Sequence, residues 1–278
     1  MRTLSQLKKD LEFNKSLSSL IEVLKNLAVA QYKILEQKIK SFKELDSAVL
    51  SFFELIDIDS IKHPFLKPSD NPKIIIAITS DTGLLGGLNM QIVNIAISYL
   101  KKEDKLIIIG ERGKLYASDF GVKFVSFSGI IDEERFSQAM QLRDYVFSQM
   151  RKENFSSIKV VYPHPVSFTV QKVMDVWLLP FSFLKDIKKE KKFKEIIYES
   201  SIDDILKYLA YIWVGKELYD IFGLSRLAEF AARYIHLEES LQKLKEMNEK
   251  TRLQYFKVRH EIIDKNMREL FSSRILFG

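Results

Sequence analysis

Apolar side chains recur at alternating steps of four and three residues along the C-terminal part of the chain. They are Phe230, Tyr234, Leu237, Leu241, Leu244, Tyr255, Val258 and Ile262. Charged residues fill many of the positions between them, and this spacing is typical of a helix that packs along another helix. We therefore predict one helix from about Ser200 to Phe277. At ~1.5 Å per residue it would run on the order of 100 Å, so it needs a partner of similar length.

The N-terminal segment, from Met1 to Asp57, supplies that partner. Its first apolar register is Leu4, Leu7 and Leu11. A second register comprises Leu17, Leu20, Leu24, Leu27, Ile34, Ile39, Phe42, Leu45, Val49, Phe52 and Ile56, and polar Asn14 lies where the register slips. The narrow seam predicts one long helix that pairs antiparallel with the C-terminal helix in a coiled coil. Two ordinary helices of a bundle are the alternative, but no third or fourth long helix is available to complete a bundle.

The middle of the chain has a different pattern, because all six prolines and seven of the ten glycines lie between residues 64 and 180. Short apolar runs bounded by turn residues alternate there with helical spacing. The predicted strands are 73–80, 105–109, 122–127 and 158–162, and the predicted helices are 88–100, 111–120 and 132–151. Asp132, Glu133 and Glu134 are favourably placed near the N-terminal dipole of the last helix. This order predicts a small Rossmann-like α/β domain with a mainly parallel sheet.

Three later segments complete the middle region. Residues 168–179 fit either a strand or a helix. The charge run at 186–195 is interpreted as a solvated loop, with a basic contact patch as the alternative, and residues 196–198 fit one more strand. The predicted domains are an N-terminal coiled-coil helix at 1–60, an α/β domain at 61–199 and a C-terminal coiled-coil helix at 200–278.

The amino-acid composition limits the kinds of functional site that the chain can form. Cysteine is absent and the four histidines have no metal-ligand spacing, so we expect no disulfide, no metal site and no cofactor. The chain has no run of about 18 apolar residues, so we predict no membrane span. The start of the chain does not resemble a signal peptide. The net charge is +6 with interleaved signs, which indicates a solvated surface with a mild preference for acidic partners and not a nucleic-acid binder.

One glycine-rich loop, Ser80–Asn89, directly follows the first predicted strand. A Walker loop requires Gly-Lys-Ser/Thr and the dinucleotide fingerprint requires Gly-x-Gly-x-x-Gly, and Gly83, Gly86 and Gly87 match neither. The residues alone favour a tight turn that approaches a neighbouring backbone. No Ser, His and carboxylate grouping and no pair of carboxylates on an apolar segment stands out. We therefore predict that the chain is not an enzyme by itself.

Taken in their order along the chain, the motifs resemble those of the gamma subunit of F-type ATP synthases, and the resemblance covers essentially the whole chain. Thr79-Ser-Asp-Thr-Gly-Leu-Leu-Gly-Gly-Leu-Asn89 resembles that family's Thr-Ser-Asp-(Arg/Lys)-Gly-Leu-Cys-Gly-Gly-Leu-Asn. The structural loop residues that match are Asp81, Gly83, Gly86, Gly87 and Asn89. Thr82 replaces the usual basic residue, and Leu85 replaces the usual Cys. Weaker similarities are found at Gly110–Gly113, Leu178–Pro180 and Glu229–Arg233.

The resemblance implies a central rotor shaft that couples ion-driven rotation to the conformational cycle of catalytic beta subunits. It implies as partners the alpha and beta subunits of the hexamer, the epsilon subunit and the membrane ring of c subunits. No nucleic acid is implied, and the membrane is contacted only through that ring. The implied location is peripheral, on the cytoplasmic face of the bacterial inner membrane. The opening Met-Arg-Thr-Leu and the divergent stalk are similar to the alternate, sometimes sodium-translocating subgroup.

The same resemblance implies the contact residues. Lys25, Arg259 and His260 match positions that contact a beta subunit. His260 stands where the family has Gln, so that contact would be altered or pH-dependent. Ile275, Leu276 and Phe277 would form an apolar tip that turns in a hydrophobic sleeve, with a frayed end as the alternative. Residues 250–274 carry seven basic and three acidic side chains, which would steer this end towards acidic loops on beta.

Two interpretations from other classes compete with this one. The first is a coiled-coil adaptor or scaffold with an α/β binding domain, which predicts a homodimer or an unrelated partner. The second is a nucleotide-binding or transferase-like enzyme that uses the loop at residues 83–87. Stabilisation of the isolated chain by a nucleotide would favour that enzyme, because a ligand that binds only the native state raises its melting temperature.

Overall fold

The computed structural model describes residues 3–39, 43–55, 61–67, 71–153, 155–181 and 199–277. The helices are α1 (Leu4–Lys38), α2 (Lys43–Leu55), α3 (Leu88–Ser98), α4 (Glu111–Asp119), α5 (Arg135–Glu153) and α6 (Ile202–Phe277). The strands are β1 (Lys73–Ile78), β2 (Lys105–Ile109), β3 (Phe124–Phe127), β4 (Ser157–Ser167) and β5 (Val170–Leu179). The chain divides into two compact units, a coiled-coil unit of residues 1–29 and 234–278 and an α/β unit of residues 30–233.

The coiled-coil unit is built on a seam of α1 that repeats every seven residues. Leu7, Asn14, Ile21 and Ala28 are the buried members of this seam. Ile21, flanked by Leu17 and Leu24, packs against three buried leucines of α6, which are Leu237, Leu241 and Leu244. The predicted pairing of the N- and C-terminal helices is therefore confirmed. It follows from the apolar spacing, because each seam residue returns to the same helix face after two turns.

The predicted first helix needs two corrections. The sequence predicts one helix over residues 1–57, whereas α1 ends at Lys38 and α2 begins at Lys43. The predicted seam is also wrong in part, because Leu20, Leu27 and Ile34 are each more than half exposed. Each of them lies one position before a true seam residue, namely Ile21, Ala28 and Leu35. Two adjacent apolar residues leave the choice of register open, and at Leu27 the larger residue is the exposed one. Of the residues in the predicted second register, Phe42 and Ile56 lie outside the described residues.

The α/β unit contains one five-stranded sheet with the order β3-β2-β1-β4-β5. The strand β1 pairs in parallel with both β2 and β4, and β2 pairs in parallel with β3. The strand β5 is antiparallel to β4. The predicted α/β class with a mainly parallel sheet is confirmed, and residues 168–179, which were open between strand and helix, contain a strand. Because β5 gives it a partner, β4 extends to Ser167, beyond the predicted end at residue 162.

The smaller differences concern element boundaries. The third strand begins at Phe124 and the last predicted helix begins at Arg135. Asp132, Glu133 and Glu134 therefore lie in the turn before α5 and not in its first turn. The charge run at 186–195 and the proposed strand at 196–198 lie outside the described residues.

The sheet of the α/β unit is covered on both faces, because alternate side chains of β1 point to opposite sides. Ile74, Ile76 and Ile78 join a core formed with α2, α5 and the first part of α6, whereas Ile75 and Ala77 join a second core formed mainly with α3 and α4. The α6 residues of the first core are Leu206, Ala210, Val214, Leu218, Ile221 and Phe222. All five residues of β1 from Ile74 to Ile78 are at most 1% exposed. Such continuous burial is expected of a parallel strand between two helical layers.

A half-buried ion cluster connects α2 to α6. The ammonium group of Lys216 lies 2.6 Å from Asp46, 3.0 Å from Glu217 and 3.1 Å from Asp220. Burial by itself lowers the pKa of Lys216, but these carboxylates outweigh it and raise that pKa above its ordinary value. Burial raises the pKa of Glu217 and that of Asp220. The position of α2 therefore depends on an ion cluster as well as on its apolar face.

Candidate functional site

The glycine-rich loop follows the C-terminal end of β1 and is anchored by Asp81. The Asp81 carboxylate accepts hydrogen bonds from the backbone N–H groups of Glu111 and Gly129, both at 2.9 Å. Glu111 is the first residue of α4, whose preceding residue Gly110 supplies no side-chain cap. Asp81 therefore stabilises the start of α4 from another part of the chain, as a carboxylate at a helix N-terminus does.

Side-chain hydrogen bonds of Thr79, Ser80 and Asn89 close the two ends of the loop. The Asn89 side chain accepts from the Ser80 N–H at 3.2 Å and donates to the Ser80 hydroxyl at 2.8 Å. The Thr79 hydroxyl donates to the Ile109 carbonyl at 2.5 Å and accepts from the Gly113 N–H at 3.0 Å. All three side chains belong to buried residues, so the loop is fixed by satisfied polar groups.

The loop glycines have unequal roles. Gly86 has φ of 59°, and its neighbour Leu84 has φ of 67°, so the chain turns through left-handed conformations here. The predicted approach to a neighbouring backbone occurs instead at Gly110, with φ of 98°, where a Cβ atom would lie 2.6 Å from the Thr79 carbonyl oxygen. A Cβ at Gly83 would first meet the Arg112 side chain, at 3.2 Å, and one at Gly87 would meet nothing within 4 Å.

The loop is joined to α6 by an ion network centred on buried Glu229. Its carboxylate lies 2.6 Å from Arg226 and 2.6 Å from Arg233. The Arg233 guanidinium also donates to the Thr82 hydroxyl at 2.5 Å, and Thr82 donates to Glu229 at 3.4 Å. Arg226 extends the network to Asp132 at 2.9 Å. Burial lowers the pKa of Arg226, but Asp132 and Glu229 more than compensate and raise it.

This network occupies the place where related folds bind ligands. In doubly wound sheets, ligands bind outside the carboxyl ends of the strands where the strand order reverses, which here lies between β1 and β4. Ile78, Thr79 and Ser80 from the end of β1, Pro163 of β4 and Ser225 and Glu229 of α6 line a small cavity there. The helix α6 therefore covers this crevice in the described part of the chain.

Sequence reasoning missed two members of the network. Asp132 was assigned only to the dipole of α5, and Arg226 carried no motif. The residues that meet are far apart in the chain: Thr82 and Glu229 are separated by 147 positions, and Asp132 and Arg226 by 94. The one available signal was the Glu229–Arg233 motif, whose two ends are i,i+4 partners on one helix face.

The predicted contact residues of the coiled-coil unit differ in their surroundings. Lys25 donates a 2.6 Å hydrogen bond to Glu238 within the unit, and this bond raises the pKa of Lys25 above its ordinary value. Arg259 and His260 are exposed on α6, and the described residues offer neither side chain a hydrogen bond or an ion pair. The role of these three residues as partner contacts stays a prediction.

The end of α6 carries apolar side chains that the described part of the coiled-coil unit leaves in solvent. They are Ile262, Ile263, Met267, Leu270 and Phe271, and each is at least 41% exposed. The predicted tip, Ile275, Leu276 and Phe277, lies in the last turn of this helix, but its side chains lie outside the described part of the structure. None of the described helices combines the length and the apolarity that crossing a bilayer requires.

These features define a class of protein in which a coiled-coil unit and a mainly parallel α/β sheet domain occur in one chain. A family model described as ATP synthase matches residues 3–274. The chain therefore belongs to the ATP synthase family, in the group that its curated relatives name the ATP synthase gamma chain.

The relatives and solved structures agree with this assignment. The chain is 24% identical to the ATP synthase gamma chain of Halothermothrix orenii, with 97% of each chain covered. It is 26% identical to that of Clostridium pasteurianum, over 72% of this chain and 71% of the relative. Its fold is similar to a chain of the Euglena gracilis mitochondrial ATP synthase, with a TM-score of 0.72 at 14% identity, over 99% of this chain and 94% of the other. A chain from the rotor of the same enzyme gives a TM-score of 0.68 at 16% identity, covering 94% and 98%.

Proposed function

We propose that this chain is the central rotor shaft of an F-type ATP synthase and has no catalytic site of its own. One observation carries the proposal. The helix α6 is continuous over 76 residues, and its residues belong to both compact units. A single uninterrupted helix is the element that can transmit a torque between two parts of a chain, since its backbone hydrogen bonds run along its axis.

The Glu229 network supports the same proposal from the α/β unit. A shaft transmits rotation only if the domain at its foot does not slip on the helix. Arg226 and Arg233 lie on α6, and their partners Asp132 and Thr82 lie in two different loops of the domain. The network therefore resists sliding of α6 past the sheet, in addition to the apolar contacts.

The partners in this proposal are the alpha and beta subunits around the coiled coil, and epsilon and the ring of c subunits at the α/β unit. Membrane association would then be peripheral and indirect, on the cytoplasmic face of a bacterial inner membrane. Nucleotide chemistry would take place in the beta subunits. The angle of the shaft would bias each beta subunit between open and closed states, because each face of the shaft contacts them differently.

Co-expression with the alpha and beta subunits of the same organism tests this proposal. We expect one copy of this chain for every three alpha and three beta subunits by size-exclusion mass measurement, with ATPase activity that depends on it. A chain that remains a free monomer or a homodimer in that experiment would favour the adaptor interpretation instead.

The contact role of Arg259 can be tested in the same complex. We expect Arg259→Ala to assemble normally and to lower coupled ATPase activity several-fold, because an unpaired exposed guanidinium is available for forked bonds to a carboxylate of a partner. Lys257→Ala removes the same charge from a neighbouring exposed position and serves as the control. Turnover that is unchanged in Arg259→Ala, or lowered equally in both variants, would contradict the assignment.

A further inference from the structure

The cavity beside the Glu229 network contains a buried hydroxyl group that the described residues leave unsatisfied. Ser225 of α6 is 3% exposed, and its side-chain oxygen has no hydrogen-bond partner among the described residues. Ser225 lines the cavity at the end of β1 together with Asn89 and Glu229. Because a buried polar group without a partner costs stability, such a group in a folded protein requires a physical explanation.

Ser225 does not use the partner that is common for a hydroxyl group within a helix. Such a hydroxyl often donates to the carbonyl group four residues earlier. Two other hydroxyls of α6 do so, since Ser240 donates to such a carbonyl at 2.7 Å and Thr251 at 2.9 Å. Ser225 makes no bond of this kind within the described chain, so its hydroxyl is available to a ligand in the cavity.

The cavity has the size and the polarity that a single water molecule requires. Its volume, taken as the space open to the centre of a water molecule, is about 10 Å³, which is close to the smallest space that holds one water. A buried water also needs about three polar partners, whereas an apolar cavity stays dry. Of the ten described residues that line this cavity, five are polar, namely Thr79, Ser80, Asn89, Ser225 and Glu229.

Two of these polar side chains have unused hydrogen-bonding capacity. The Asn89 amide donates one of its two N–H groups to the Ser80 hydroxyl, so that the other remains for a ligand. The Glu229 carboxylate accepts three hydrogen bonds, whereas a carboxylate has about four acceptor sites. Together with the Ser225 hydroxyl, they offer a donor, an acceptor and a group that is both. One water molecule can satisfy this combination.

The charges beside the cavity favour a neutral ligand. An anion would be repelled by the carboxylate of Glu229. A cation would find that carboxylate already paired, because the guanidinium groups of Arg226 and Arg233 each lie 2.6 Å from it. Water is neutral, and it is small enough for the measured volume.

We infer that one long-lived water molecule occupies this cavity and bridges the Ser225 hydroxyl to Asn89 and Glu229. Ser225 and Glu229 are four residues apart, so they lie on one face of α6. Asn89 lies in the first turn of α3 and closes the loop after β1. The water therefore connects α6 to this loop, in addition to the ionic link through Arg233. The inference concerns the α/β unit alone and does not rest on the proposed function.

Oxygen-17 relaxation dispersion of water in solutions of the full chain tests the inference, because its amplitude measures internal water molecules that exchange slowly with the solvent. We expect the amplitude in Ser225→Ala to be lower than in the wild type by the contribution of one water molecule. Ser240→Ala is the matched control, since it removes a hydroxyl of the same helix that is already bonded to a helix carbonyl. This control should keep the wild-type amplitude. Equal amplitudes in Ser225→Ala and the wild type would overturn the inference.

Urea unfolding followed by the fluorescence of Trp177 and Trp213, both in the α/β unit, provides a second readout. If a water satisfies the hydroxyl, Ser225→Ala loses a hydrogen bond, and the equilibrium constant for unfolding should rise about fivefold. Removal of a hydroxyl that has no partner would lower this constant, because the cost of an unsatisfied buried group disappears. The higher helix propensity of alanine also lowers it, so propensity does not explain a rise. A lowered or unchanged constant would overturn the inference and leave the proposed function intact.

Discussion

The coiled-coil unit and the α/β unit reach stability in different ways. The α/β unit buries whole strands on both faces of the sheet, and its buried charges are compensated in networks around Glu229 and Lys216. The coiled-coil unit buries a single narrow seam, and that seam includes the polar residues Asn14 and Thr251. In a close-packed core, even a small change in side-chain volume affects the surrounding residues. In a narrow seam, the residues can adjust locally, because fewer neighbours surround them. The comparison indicates a rigid foot and a more compliant shaft.

The largest expected effect is that of Glu229→Gln in the α/β unit. This variant keeps the shape of the side chain but leaves Arg226 and Arg233 without their shared carboxylate. Loss of one partner of a buried ion pair lowers the free energy of unfolding by about 3 kcal/mol. Both tryptophans, Trp177 and Trp213, lie in the α/β unit, so urea unfolding followed by tryptophan fluorescence reports on this unit directly.

The matched control for that variant is Glu238→Gln in the coiled-coil unit. Glu238 also pairs with a cation, Lys25, but its side chain is 49% exposed. An exposed pair contributes at most about 1 kcal/mol, and the tryptophan transition should not move. If the two variants shifted that transition equally, the difference drawn between a rigid and a compliant unit would be wrong.

A smaller effect is expected at Asn248 in the coiled-coil unit, where a substitution should raise stability, whereas Glu229→Gln lowers it. Asn248 follows Leu241 by seven residues, and its side-chain oxygen is buried without a hydrogen-bond partner among the described residues. Because an unsatisfied buried polar group costs about 1 kcal/mol or more, Asn248→Leu should stabilise the seam. A polar residue in such a seam specifies register at a cost in stability.

Hydrogen exchange of the full chain measures this change. We expect amides of residues 237–251 to exchange about fivefold more slowly in Asn248→Leu, with no change in the α/β unit. Gln254→Leu, at an exposed position of the same helix, is the control and should leave the rates unaltered. Faster exchange in Asn248→Leu would mean that the seam accommodates the amide better than a leucine.

The sequence predicted the elements in which periodicity and burial coincide. The spacing of Phe230, Leu237, Leu241 and Leu244 along α6 and the apolar runs of β1 and β2 were sufficient, because these residues are buried. The same spacing fails near the end of α6, where Ile262 of the predicted seam is 41% exposed. In α1 this agreement fails, since Ala28 and Asn14 are buried while Leu20 and Leu27 are exposed. No proline or glycine marks the interval between Lys38 and Lys43, so the end of α1 there had no local signal.

The candidate site was predictable only in part. The loop residues Asp81 and Asn89 stood out through the resemblance, but their hydrogen-bond partners did not. Asp81 accepts a hydrogen bond from the backbone of Gly129, which lies 48 positions away. Because glycine has no side chain, the sequence contains no signal for this contact. The identity of Lys25 as one half of an ion pair likewise depended on the register between two helices that are distant in sequence.

The smallest expected effect is a pH dependence confined to the α/β unit, and it arises from His63. The imidazole accepts a 3.1 Å hydrogen bond from the Phe65 N–H at Nδ1, and its Nε2 lies 3.2 Å from Asp203 at the start of α6. Burial lowers the pKa of His63, although Asp203 opposes this shift. The unfolded chain, with a histidine pKa of about 6.5, therefore takes up this proton before the folded protein does.

Stability from His63 is thus present above about pH 6.5 and is lost as the pH falls towards the lower pKa of the folded state. We expect the change in unfolding free energy between pH 7.5 and 5 to be smaller in His63→Gln than in the wild type, by less than about 1 kcal/mol. His236→Gln, in the coiled-coil unit, should keep the wild-type dependence, and exchange of the coiled-coil amides should be the same in His63→Gln and the wild type at both pH values. If His63→Gln retained the full dependence, protonation of His63 would not be the cause of the pH dependence of the α/β unit.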